Sequence, residues 1–251
     1  MASLGPASSG EAVLREMLRA GVDLVRLNLS HGTHAEHRET IARVRRIAIE
    51  EARHVPIVLD LMGPRYRLGL LSTEHSGKRE LSAGEVVRLG PAAAGADLPV
   101  EDPEFLAHVR VGERVLIDGG LVELLVEERL GETLVARVLS GGTVSNRKGL
   151  NLPESQLPFQ ISEKDAADIA FAVEQEADLL AASYVGEAAH VEAIRTLVEA
   201  NGGRLPIIAK LERATALVNL QALVEAADGV MVARGDLGVE VPLASVPVWQ
   251  K

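Results

Sequence analysis

Apolar residues in the first part of the chain alternate between helix-like and strand-like spacing. Over Glu11–Ala20 and His34–Arg53 they recur every three or four positions, which predicts two amphipathic helices. Asp23–Leu29 and Pro56–Leu61 are short apolar runs, and the second is nearly continuous, as in strands buried on both faces of a parallel sheet. The opening of the chain therefore predicts two helix–strand pairs.

The same alternation returns in the last part of the chain. The spacing there predicts strands over Asp178–Val185, Pro206–Leu211 and Gly229–Ala233, and helices over 162–175, Ala188–Ala200 and Ala214–Ala226. Repeated strand–helix units of this kind predict an α/β fold with a parallel sheet. Periodicity alone does not separate an open doubly wound sheet from a closed barrel.

The middle of the chain, after Gly63-Pro64, has a different texture. Gly, Pro, Ser and Asp interrupt it often, and Asp118-Gly119 is a hairpin signal. Short alternating runs typical of antiparallel strands occur at Glu85–Leu89, Arg114–Ile117, Leu121–Glu127 and Thr133–Leu139. We therefore expect residues 64–149 to form a small all-β domain, inserted between a first part (1–63) and a second part (150–251) of one larger domain.

Composition excludes several classes of protein. The chain has 26 Lys and Arg against 36 Asp and Glu, a net charge of −10, which argues against general nucleic-acid binding and against anionic membrane surfaces. It contains no cysteine, so disulfide scaffolds, thiolate zinc sites and cysteine catalysis are excluded. No apolar run approaches the roughly 18 residues of a membrane span. We expect a cytoplasmic protein.

Polar residues cluster where the predicted strands end, and in barrels of this kind those ends line the active face. Any single charge at such a position is more often a solvated loop residue, but agreement among several strands favours a site. The residues selected are Arg26, Asn28, Ser30, Asp60, Lys210, Glu212, Arg234 and Asp236. Two carboxylates near a lysine suit a divalent cation that holds an anionic substrate. His31, His34 and His37 are spaced by three, but solvated helix-start histidines are the commoner case.

Several sequence blocks resemble pyruvate kinase. They are Leu4–Ser9, Arg26–Gly32, Ile117–Leu121, Lys148–Pro153, Ser162–Asp165, Ala209–Glu212 and, most specifically, Asp228–Glu240. The resemblance runs in order along the whole chain. It implies a (β/α)8 TIM-type barrel with a small β-barrel domain inserted after the third strand.

The resemblance also implies an activity: glycolytic phosphoryl transfer between phosphoenolpyruvate and ADP, giving pyruvate and ATP, with Mg²⁺ (or Mn²⁺) and K⁺. The implied roles are catalysis by Lys210 and Arg26, substrate binding by Arg26, Lys210, Gly235 and Asp236, and nucleotide binding by Asn28, Arg67 and Lys148. Glu212 and Asp236 would hold Mg²⁺, and Asn28, Ser30, Asp60 and Leu61 would hold K⁺, Leu61 through its carbonyl.

The chain also departs from the family pattern. Met62 stands where the family has a lysine, Arg65 where it has an acid and Gly186 where it has an arginine. After Asp118, Gly120 stands where the family has a second acid. Only about six barrel strands are expected in these residues. An alternative is therefore a truncated or degenerate non-catalytic paralogue that binds metal and phosphoenolpyruvate. We expect either a homo-oligomer or a partner that supplies further barrel strands.

Overall fold

The computed structural model describes residues 1–64, 66–71, 77–155 and 158–251. Its strands are β1 (Ala2–Ser3), β2 (Val25–Asn28), β3 (Ile57–Asp60), β4 (Tyr66–Arg67), β5 (Lys78–Leu81), β6 (Val86–Gly90), β7 (Leu98–Pro99), β8 (Arg114–Ile117), β9 (Val122–Leu130), β10 (Thr133–Ser140), β11 (Gly142–Ser145), β12 (Gly149–Asn151), β13 (Leu179–Ala182), β14 (Ile207–Leu211) and β15 (Gly229–Val232). Its α-helices are α1 (Glu11–Arg19), α2 (His34–Glu50), α3 (Glu163–Glu174), α4 (Ala188–Ala200), α5 (Ala214–Val218), α6 (Leu220–Ala226), α7 (Arg234–Glu240) and α8 (Val246–Gln250). Among the helices described, none is long and apolar enough to cross a membrane.

The first of two compact units comprises residues 1–64 and 159–233 and is built on a six-stranded parallel sheet. The strand order is β1-β2-β3-β13-β14-β15, so each strand lies beside the next strand of the unit. This sequential order is that of a (β/α)8 barrel, whereas a doubly wound sheet reverses its order at a switch point. The predicted α/β class and incomplete TIM-type barrel of about six strands are confirmed.

The apolar pattern explains how this sheet is buried. All four residues of β3 are buried, as expected for a parallel strand covered on both faces. The helices present apolar stripes to the sheet, for example Ile41, Val44 and Ile47 of α2. Thr33 caps α2 in a capping box with Glu36, which fixes where the chain leaves the end of β2 and enters the helix.

The second unit comprises the described parts of 65–158 together with 234–251. A seven-stranded sheet has the order β4-β12-β8-β9-β10-β6-β7, and β5 pairs with β11. All pairings in the larger sheet are antiparallel except that of β6 with β7. The hairpin predicted at Asp118-Gly119 joins β8 to β9, and both residues adopt positive φ. The domain boundaries expected at 63/64 and 149/150 stay predictions.

One predicted element is wrong in detail. The single helix expected over Ala214–Ala226 is divided into α5 and α6 at Asn219. The Asn219 side chain donates to the carbonyl of Gly186 at 2.8 Å, and its backbone leaves helical geometry with ψ of 18°. A tertiary hydrogen bond therefore interrupts a segment whose apolar spacing is helical throughout.

An ion-pair network joins α1 to α2 and the residue that follows it. Glu51 accepts from Arg19 Nε at 2.8 Å and from Arg15 Nη1 at 2.7 Å, and these contacts lower the pKa of Glu51 from 4.5 to about 2. Glu50 and Glu11 also have lowered pKa values because Arg15 and Arg46 donate to them. A carboxylate whose pKa is depressed by folding stabilises the fold above its unfolded pKa.

We expect this contribution to be complete at neutral pH and to be lost as the pH falls from about 4.5 towards 2. Glu51→Gln should therefore lower the free energy of unfolding more at pH 7 than at pH 3, as measured by urea denaturation. Glu39→Gln, at an exposed position of α2, is the matched control. An equal cost of Glu51→Gln at both pH values would contradict the prediction.

Candidate active site

Four charged side chains form a line of alternating sign at the carboxyl-terminal side of the parallel sheet. Arg26 Nε donates to Asp60 Oδ2 at 2.6 Å, and Asp60 Oδ1 lies 3.2 Å from Lys210 Nζ. Lys210 Nζ in turn lies 2.6 Å from Glu212 Oε1. The ends of β2, β3 and β14 supply these groups, so four residues selected from three strand ends are brought together.

Burial makes these charges dependent on one another. Asp60 is 1% exposed, Glu212 0% and Lys210 5%. Buried charges are costly unless they are paired and hydrogen-bonded, and here two cations compensate two carboxylates. Arg26 keeps 22% of its side chain exposed, so it is the member of the line through which an anion in solution can be bound.

Ser183, which the sequence reasoning missed, joins this line. Its hydroxyl accepts from Lys210 Nζ at 2.7 Å and lies 3.3 Å from Asp60 Oδ1, to which it donates. The next residue, Tyr184, has a φ of 59° and donates its backbone N–H to Glu212 Oε2 at 2.8 Å. The end of β13 therefore supplies hydrogen bonds to both the lysine and the buried glutamate.

The residues expected to hold K⁺ lie at neighbouring strand ends. Asn28 and Asp60 are register partners, and the N–H of Leu29 donates to the carbonyl of Asp60 at 3.0 Å. Asn28 Oδ1 accepts from the N–H of Ser30 at 3.0 Å. The side chain of Leu61 is a buried hydrocarbon with no ligand atom, so only its backbone carbonyl is suited to a cation. Side-chain and carbonyl oxygens are the ligands that hard cations take, so the donor set fits K⁺.

The two carboxylates expected to hold a divalent cation lie in different units. Glu212 follows β14, and Asp236 lies in the first turn of α7 with Gly235 beside it. Both are oxygen donors of the type Mg²⁺ takes, so their chemistry fits the ion. Among the residues described, no group of three or more His, Asp or Glu that could hold a metal ion is found. A joint site of Glu212 and Asp236 stays a prediction.

Two of the three predicted nucleotide-binding residues lie close together in the second unit. Arg67 pairs in register with Gly149, the neighbour of Lys148. Arg67 Nη1 donates to the carbonyl of Arg147 at 3.1 Å, and Lys148 Nζ lies 2.7 Å from Asp118 Oδ2. Arg67 and Lys148 thus lie within one residue of each other in the pairing of β4 with β12, and Asp118 pairs with the Lys148 ammonium.

The third, Asn28, lines a cavity of about 580 Å³ in the first unit. Pro6, His31, His37 and Arg43 also line it. The cavity is lined by apolar, imidazole and other polar groups, and its volume falls in the range of small-molecule sites.

The three spaced histidines have separate structural contacts. His34 Nε2 lies 2.7 Å from Asp168 Oδ1, and His37 Nε2 lies 2.7 Å from the carbonyl of His31. The His34 ring also stacks on Phe171 with centroids 4.3 Å apart. These contacts give His34 and His37 roles in packing at the start of α2.

The structure accounts for two of the departures from the family pattern. Gly120 has a φ of 83°, a conformation that favours glycine. A Cβ atom at Gly186 would lie 2.6 Å from Thr215 Oγ1, so this threonine fills the space a larger residue would need. Nothing in the structure explains Met62, and Arg65 lies outside the described residues.

Comparison with known proteins identifies the relatives of the chain. The family model of the pyruvate kinase barrel domain matches residues 1–251. The chain is 40% identical over 253 residues to pyruvate kinase of Mycobacterium intracellulare, covering 99% of this chain and 53% of that protein. It is 40% identical over 257 residues to pyruvate kinase 2 of Synechocystis sp., covering 100% and 43%. It is 38% identical over 264 residues to pyruvate kinase PKLR of Homo sapiens, covering 100% and 46%. The chain thus spans about half the length of the curated relatives it matches.

Proposed function

The chain belongs to the pyruvate kinase family of phosphotransferases, and from this premise we propose that it acts in phosphoryl transfer between phosphoenolpyruvate and ADP in glycolysis. The main support is the line of Arg26, Asp60, Lys210 and Glu212 at the carboxyl-terminal side of the sheet. Phosphoryl transfer depends on positioning and on neutralising charge, and this line supplies fixed cations on a rigid sheet.

Arg26 and Lys210 have different tasks in this proposal. Arg26 binds the phosphate of phosphoenolpyruvate, because its guanidinium is partly exposed while Asp60 holds its Nε. Lys210 stabilises the charge on the phosphoryl group in transit, because Ser183 and Glu212 fix its ammonium in a buried position. Because the ammonium is already oriented, it does not have to reorganise during the reaction, and this lowers the barrier.

The cations belong to the proposal as well. Glu212 and Asp236 would hold Mg²⁺ or Mn²⁺, with Gly235 contributing to substrate binding. Asn28, Ser30, Asp60 and the Leu61 carbonyl would hold K⁺. When bound, these ions neutralise phosphate charge and help orient the substrate.

Nucleotide binding by Asn28, Arg67 and Lys148 belongs to the same proposal. The cavity beside Asn28 has the size for a base and ribose. Arg67 and Lys148 would contact the phosphates. A cytoplasmic location and a homo-oligomer, or a partner with further strands, are part of the same proposal.

The test is pyruvate release from phosphoenolpyruvate and ADP with Mg²⁺ and K⁺, coupled to lactate dehydrogenase. We expect Arg26→Met to lower the rate by about 100-fold or more, since it removes one charge-stabilising donor. Arg53→Met, which removes an arginine bound to Leu18 and Asp23 away from the line, should leave the rate near that of the unmodified chain.

A second candidate is a non-catalytic paralogue that binds metal and phosphoenolpyruvate, favoured by the changes at Met62, Arg65 and Gly120. It predicts no turnover but saturable Mn²⁺ binding, measured by calorimetry and weakened in Asp236→Ala. Equal Mn²⁺ affinity in Asp236→Ala and the unmodified chain would remove this metal site.

A further inference from the structure

Lys164, in the first turn of α3, contacts the chain segment between Asn28 and Ser30. Its Nζ donates to the backbone carbonyl of Leu29 at 2.7 Å and to Asp168 Oδ2 at 2.5 Å. A lysine ammonium has three donors and no acceptor, so it cannot bind a metal cation in this state. Any effect of Lys164 on a cation site is therefore exerted through the Leu29 carbonyl.

The carboxylate of Asp168 holds the Lys164 ammonium in position. Asp168 is 1% exposed, and a buried carboxylate needs donors on its oxygens. Lys164 supplies one donor and His34 Nε2, at 2.7 Å, lies against the other oxygen. The His34 ring stacks on the buried ring of Phe171, which also belongs to α3. The buried carboxylate therefore ties Lys164 to the buried face of α3.

Both backbone polar groups of Leu29 are hydrogen-bonded. Its N–H donates to the Asp60 carbonyl at 3.0 Å and its C=O accepts from Lys164, while its side chain is 1% exposed. Asn28 and Ser30, which flank Leu29, are linked to each other by a hydrogen bond of 3.0 Å. Without Lys164, the carbonyl side of this short segment loses its charged donor.

We propose that Lys164 is a positioning residue for the monovalent-cation site: by holding the Leu29 carbonyl, it fixes the relative placement of the Asn28 and Ser30 oxygens. The inference rests on the proposed function, since it assumes that these oxygens bind the cation. Asp168 has a second effect, because its negative charge compensates that of Lys164 and limits the repulsion between the ammonium and a nearby cation.

Two measurements test the role of Lys164 in Lys164→Met and Lys164→Arg. The first is amide hydrogen exchange, by mass spectrometry, of the segment that contains residues 28–31. The second is K⁺ binding followed by calorimetry, with no substrate present. Arg195→Met is the matched control: Arg195 also bridges a carbonyl, of Ala226, and a carboxylate, of Asp228, but at the opposite end of the parallel strands.

We expect Lys164→Met to speed exchange of the segment and to weaken K⁺ affinity, each by about tenfold, the scale of one hydrogen bond to a charged group. Lys164→Arg keeps a charged donor and should stay near the unmodified chain in both measurements. Arg195→Met should change neither.

Exchange in Lys164→Met no faster than in Arg195→Met would overturn the proposal, and so would equal K⁺ affinity in Lys164→Met and the unmodified chain. If the unmodified chain binds no K⁺, the cation part of the proposed function fails, and with it the cation role of Lys164. In that case the exchange comparison still shows whether Lys164 holds the segment, so the two failures are distinguishable.

Discussion

Lys210→Met should lower the free energy of unfolding by about 3–5 kcal/mol, the cost of removing one partner from a buried ion pair. Methionine has nearly the volume of lysine, so the change removes the charge with little loss of packing. It leaves Glu212, which is 0% exposed, without its cation at Oε1, and it removes the donor to Ser183. Asp60 keeps Arg26, so the main cost falls on Glu212. Urea denaturation measures the change.

A double-mutant cycle separates this charge effect from other effects of the substitution. In Lys210→Met combined with Glu212→Gln the carboxylate that Lys210 paired with is also removed, and we expect part of the loss to be recovered, so the two costs do not add. Lys78→Met, at an exposed lysine of β5, should stay within about 0.5 kcal/mol of the unmodified chain. A loss below about 1 kcal/mol in Lys210→Met would show that the buried charges are not interdependent.

The strand-end rule was enough to predict most of the candidate site. Parallel strands end at one edge of a sheet, so Arg26, Asp60, Lys210 and Glu212 had to be near one another once a parallel sheet was predicted. Their order of contact and their burial were not predictable, because both depend on the register between strands that are distant in sequence.

Ser183 was missed for a specific reason. The predicted strand Asp178–Val185 ran through it, whereas β13 ends at Ala182. The strand ends because Tyr184 adopts a φ of 59°, a conformation that non-glycine residues rarely take. A sequence with tyrosine at this position gives no local sign of such a turn, and the contact of its N–H with Glu212 is tertiary.

The choice between a barrel and an open sheet shows the same limit. Hydrophobic periodicity predicts strands and their burial, as in β3. It does not predict which strand lies beside which in the sheet. The order of β1, β2, β3, β13, β14 and β15 is a property of the folded chain. Only the resemblance of the sequence blocks to pyruvate kinase predicted the barrel.

Gly63→Ala should also have a large effect, because Gly63 lies against the candidate site. Its φ is 68°, and a Cβ there would lie 2.8 Å from the backbone carbonyl oxygen of Ser183. The left-handed conformation costs a non-glycine residue about 1–2 kcal/mol, and the close contact adds about 1–3 kcal/mol of overpacking. A shift of Ser183 to relieve it would also disturb the hydrogen bond to Lys210.

Gly202→Ala separates the two costs. Gly202 has a φ of 78°, but a Cβ there would meet no atom within 4 Å, so this variant should lose only the conformational part, about 1–2 kcal/mol. We expect urea denaturation to show a clearly larger loss in Gly63→Ala, and phosphoenolpyruvate binding, measured by calorimetry, to weaken in that variant alone. Equal losses of stability in the two variants would mean that the segment at Ser183 yields freely to the extra methyl group, and that Gly63 does not fix this side of the site.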